Sequence, residues 1–178
     1  VGVAAALGVS HMALYKHVPS LDALKHLIAE EIFKRWELPH ATSPQQIGLE
    51  EYLMGFTAST RQFVKAHPGV TPFVIRRLAA TPAMLEKISA HQAHIAQAYG
   101  ITKEQSRWLL STVTFFCISA ADTVYAAARL EPLEEADWQL QEAEMEAELI
   151  EGTQALIAGA LRLLESRPDP KIGARINK

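Results

Sequence analysis

The sequence predicts an all-α protein with a short N-terminal helical pair ahead of a larger helical bundle. Three observations predict it. Apolar residues recur three and four apart along most of the chain. The strict alternation of half-buried strands is hard to find. Gly and Pro, nine of each in 178 residues, fall mainly between the periodic segments rather than inside them. At 49% hydrophobic and 21% charged, the chain can bury a core. Cys117 is the sole cysteine, which excludes an intrachain disulfide and a cysteine-based zinc site. A reducing, cytoplasmic setting is expected.

Each element then has a local reason. Val1–Leu7 reads as the end of a helix, with Gly8 as its left-handed cap. Ser10 caps a second helix reaching about Val18. Pro19 breaks the chain, and Ser20 with Asp22 opens a helix to about Trp36. Leu24, Leu27, Ile28, Ile32 and Phe33 share one face of it. Two prolines, Pro39 and Pro44, mark a linker and a boundary or hinge. Helices are expected at about 48–66 and 72–80, the second after a break at His67-Pro68-Gly69. Thr81-Pro82 starts another that ends near Gly100. Long helices follow at about 103–129 and 137–166, separated by Glu131-Pro132. The division is thus an N-terminal unit over 1–38, a bundle over 45–167 and a loose tail over 168–178. No charged segment with an apolar run opens the chain, so no signal peptide is expected.

Charge is unevenly spread. The formal total is −3, yet nine acids and no Lys or Arg lie between Glu131 and Glu151. The rest carries 17 basic residues against 11 acidic, about +6. The acidic block reads as a solvated loop and half-helix. The segment from Trp108 to Ala128 is apolar enough to test as a membrane span. Asp122 within it would cost about 2.5–3.5 kcal/mol at mid-bilayer, so a buried bundle helix is the better reading.

Residues 3–18 meet the demands of a helix–turn–helix. Ala4 allows close helix crossing, Gly8 supplies positive φ, and Val9 and Leu14 point back into a small core. Ser10, His11, Met12 and Ala13 then lead the second helix, where base-edge contacts arise in such motifs. Tyr15, Lys16 and His17 suit phosphate oxygens. The run Ala4, Gly8, Val9, Ser10, Leu14, Tyr15, His17, Val18, Ser20 and Leu24 resembles the DNA-binding domain of the TetR family of transcriptional repressors. The resemblance is specific over residues 1–36 and architectural beyond. Leu21 departs from it, standing where the family often has a phosphate-contacting Lys. The family's first helix would precede Val1.

The resemblance implies a homodimer formed by the last two helices of each subunit, and an effector pocket among the central helices. Small and apolar stripes permit the first: Ser119 and Thr123 on one helix, with Gly152, Ala155, Gly159 and Leu163 on the other. Candidate pocket residues are Phe56, Phe63, Arg76, Trp108, Phe115, Asp122 and Tyr125. Asp122 needs a partner, either Arg76 or Arg77 or a ligand. His91-x-x-His94 with His67 is a weak metal pattern, and neither a metal nor a cofactor is expected. No catalytic signature or phosphate loop is present, and no enzyme activity is expected. The expectation is a ligand-responsive regulator, most directly a repressor, released from palindromic operator DNA by a small molecule. The alternative is a helical carrier or enzyme whose N-terminal hairpin is only structural.

Overall fold

The structure is a computed structural model that describes residues 8, 10–41, 46–74, 80–127 and 135–166. The expected helix end over 1–7, Val9, Arg76 and Arg77, the loop over 128–134 and the tail over 168–178 lie outside the described residues. Among the described residues every regular element is a helix. In order these are α1 (His11–His17), α2 (Leu21–Arg35), α3 (Leu49–Ala66), α4 (Thr71–Val74), α5 (Pro82–Tyr99), α6 (Lys103–Ala127) and α7 (Glu135–Ser166).

The helix ends follow from their capping residues. Ser20 Oγ accepts from the Ala23 amide at 3.0 Å and starts α2. Thr81 Oγ1 accepts from the Met84 amide, with Pro82 in the first turn of α5. Gly100 closes α5 at φ +65°, and the Ile101 amide turns back to the Ala96 carbonyl. Thr102 and Gln105 open α6 as a reciprocal box, each side chain bonding the other's amide.

Helix α6 is the hub. It packs on α3, α5 and α7 and also touches α4. Leu109, Val113, Cys117 and Ala121, spaced four apart, are wholly out of water on its inner face. That explains its apolar composition. By length and composition alone Lys103–Tyr125 is long and apolar enough to cross a membrane; here its Leu109, Val113, Cys117 and Ala121 are buried in the bundle. Burial pushes the Cys117 thiol up to about 11, so it stays protonated and unreactive at neutral pH.

The core has two regions. One gathers Leu53, Phe56, Ile95, Leu109, Val113 and Ile157. The other gathers Phe33, Phe63, Val64, Met84, Ile118 and Leu149. The second is where α2 docks, through its contacts with α4 and α5. The expected apolar face of α2 is only partly used. Ala29 and Phe33 are buried, whereas Leu27 and Ile28 remain exposed. The helix packs through its C-terminal half, so its outer positions stay in water.

The acidic stretch is also less uniform than its composition suggests. Glu144, Glu148 and Glu151 are exposed. Glu142 and Glu146 instead hold Lys65 of α3, at 2.8 and 3.7 Å. Glu146 further accepts from the Tyr125 hydroxyl at 3.0 Å. The hydrogen bond to Glu142 is the main cause of a raised Lys65 pKa.

Candidate functional site

The chain around α1 presents a polar surface. Gly8 takes φ +65°, which a Cβ would make costly. Ser10 Oγ accepts from the Ala13 amide at 3.1 Å and starts the helix. Ser10, Met12, Lys16 and His17 are exposed, Met12 to 76%. Ala13 is half-buried, and Val18 just past the helix is buried. The side chains of His11, Leu14 and Tyr15 lie outside the described residues.

The end of α2 is fastened to the bundle by rings and by one ammonium. The Trp36 ring stacks on Phe63 at 4.4 Å and on Phe56 at 6.5 Å. Its indole N–H donates to Ser59 Oγ at 3.0 Å. Lys87 of α5 donates from Nζ to the carbonyls of Phe33, Lys34 and Trp36. These belong to the last turn of α2 and its cap, where unpaired carbonyls collect and the helix dipole favours a cation. Partial burial lowers the Lys87 pKa, with Glu37 opposing. His26 in mid-α2 meets Phe73 of α4 edge-on at 4.9 Å.

Beside this joint lies a cavity of about 630 Å³. Its wall includes Phe33 and Trp36 from the end of α2, Phe56 from α3, Ile88 and His91 from α5, and Leu110 and Phe115 from α6. Polar groups line it too: Ser89 and Gln92 on α5, and Arg107, Ser111 and Thr114 on α6. His91 Nε2 is 2.9 Å from the Tyr52 hydroxyl, which also donates to the Pro39 carbonyl. Burial foremost, then the nearby His94, His40 and Lys87, lower the His91 pKa to about 4. The imidazole is therefore neutral at pH 7.

Of the sequence candidates for a pocket, Phe56 and Phe115 line this cavity. Phe63 and Tyr125 are buried in the core region where α2 docks. Trp108 packs against the other core region. Asp122 is half-buried and makes no ion pair with a described residue, and Arg76 lies outside the described residues. Trp36, Lys87 and Arg107 escaped sequence reasoning, and His91 was noticed only for its spacing to His94. Among the described residues no three candidate metal ligands gather. Trp36 did carry a signal, a large ring one turn after Phe33 at the point where helix gives way to proline-rich chain. Lys87 carried none, because its carbonyl partners lie more than fifty residues earlier.

Helices α6 and α7, which carry the small-residue stripes, pack on each other. The Phe116 ring sits 3.5 Å from where a Gly152 Cβ would be. Thr123, Ala155, Gly159 and Leu163 are exposed, and Ser119 and Gly152 are half-buried. Phe115 of α6 is 63% and Leu163 of α7 55% exposed. Compared with protein-family models, with curated proteins and with solved structures, the chain matches none.

Proposed function

We propose that the chain is a ligand-responsive, DNA-binding transcriptional regulator that works as a homodimer, most directly as a repressor. The observation that carries this reading is the serine-capped α1 with Met12, Lys16 and His17 turned to water. A short serine-capped helix whose described side chains stand mostly in water has the form of a groove-reading element. The resemblance of residues 1–36 to the TetR family supports the same reading. The stripe of α6 and α7, with its exposed Leu163 and small neighbours, would face a second copy and set two α1 helices apart.

The cavity supplies the switch in this reading. Phe33 and Trp36 belong both to its wall and to the end of α2, and Lys87 ties that end to α5. An effector that pushes on the two rings shifts α2, and α1 moves with it. Useful coupling is about 1–3 kcal/mol, so a small displacement suffices.

Retention on mixed-sequence duplex DNA across about 50–200 mM salt tests the reading. A DNA reader loses affinity steeply as counterions are released. Lys16→Ala should weaken binding to all sequences and flatten the salt slope by about one. Met12→Ala should change which sequence is preferred. Absence of retention at every salt concentration would leave a cavity-bearing carrier, and the regulator reading would fall.

A further inference from the structure

Among the described residues of the cavity wall Arg107 is the one formal charge, and no Asp or Glu is among them. Among the described residues Arg107 makes no ion pair, although Glu104 stands one turn earlier. Arg107, Ser111 and Thr114 follow at spacings of four and three on α6, so they share one helix face. Gln92 and Ser89 add dipoles from α5. Rings join them: Phe33, Trp36, Phe56 and Phe115. The described wall therefore combines flat apolar rings with polar groups and a single positive one.

We infer that the cavity binds an amphipathic monocarboxylate with a ring-bearing body, the rings lying among Trp36, Phe56 and Phe115 and the carboxylate on Arg107. Three physical arguments select this class. Aromatic walls favour a flat apolar body through offset and edge contacts. A guanidinium presents two parallel N–H groups that match a carboxylate. A cationic ligand would meet Arg107 with no anion among the described wall residues to offset it.

The inference deepens the regulator reading by naming its effector class, but the binding itself is measured on the protein alone. The probe is 1-pyrenebutyrate, with neutral 1-pyrenebutanol as its twin, followed by fluorescence anisotropy on the full chain. The acid should bind one per chain and roughly tenfold or more tighter than the alcohol. Arg107→Gln should abolish that preference and leave alcohol binding unchanged. Arg107 is exposed, so the variant should fold, and its melting curve should match the parent's. Leu110→Trp, which fills the cavity, should weaken both probes. Equal binding of acid and alcohol, an Arg107→Gln variant that keeps the preference, or no binding of either probe would overturn the inference. Acid binding that survives while DNA retention fails would leave the cavity assignment standing and remove the regulator.

Discussion

The four long helices α3, α5, α6 and α7 put Leu53, Ile95, Leu109 and Ile157 wholly out of water. Across residues 10–35 the buried set among the described residues is Val18, Ala29 and Phe33, while Met12, Leu21, Leu27 and Ile28 stay exposed. The same chain thus builds a bundle that closes on itself and a forward segment that does not. The difference teaches where stability and function reside. The bundle has surplus burial and tolerates a cavity. Among the described residues the forward segment meets the bundle through α2, at His26, Ala29, Phe33 and Trp36, and in the regulator reading a push at the end of α2 moves it.

Substitutions should separate the two regions by magnitude. Leu53→Ala removes a side chain with no exposure and should cost about 2–5 kcal/mol in a urea melt. Met12→Ala should stay within about 0.5 kcal/mol, because its side chain meets mostly water. Comparable losses from both would erase the contrast.

A pH titration gives the next largest effect. His91 has a folded pKa near 4, below the ordinary imidazole value, so folding favours its neutral form. Its contribution is complete above about pH 6.5 and is lost as pH falls toward 4. The expected loss over that window is about 1–3 kcal/mol, checked by melts of the parent against His91→Gln. A parent curve no steeper than the variant's would show that His91 does not titrate in this way.

Lys87→Met addresses the joint itself. It strips the last turn of α2 of its cation and should cost about 1–2 kcal/mol. Hydrogen exchange should quicken at residues 30–36 and stay unchanged in α6. In the regulator reading, effector and DNA should also become less tightly coupled. Uniform loss of protection over both helices would show that Lys87 supports the whole fold instead. At the small end, Gly8→Ala forces a side chain into φ +65° and should cost about 1 kcal/mol locally. It should impair DNA retention while the bundle's melt barely moves.

Much of the fold was legible because helix ends are written locally. Ser20, Thr81-Pro82 and Gly100 act within one turn of themselves, and the structure places helix ends at each. The place of α6 in the bundle was legible from its apolar run, which Ser, Thr and Asp122 interrupt. What sequence could not show was assembled from distant pieces. The cavity draws residues from α2, α3, α5 and α6, and periodicity assigns each of them only to a core. Phe63 and Phe56 lie two turns apart on one helix face and both are core, yet only Phe56 also walls the cavity. Their difference depends on where α2 ends, which is fixed by Lys87 and by the stacking of Trp36. The exposure of Leu27 and Ile28 was hidden for the same reason, because an apolar stripe does not reveal how much of it is covered.

The most direct test of the central claim is selection of duplexes from a random pool by the full chain, followed by footprinting of the enriched sequence. The account expects a pseudo-palindrome whose half-sites lie about 34–36 Å apart or a multiple of that spacing, bound by two chains. It also expects the enrichment to vanish in Met12→Ala or to shift to another sequence. Enrichment of no sequence, or of an asymmetric site bound by one chain and indifferent to Met12, would contradict it.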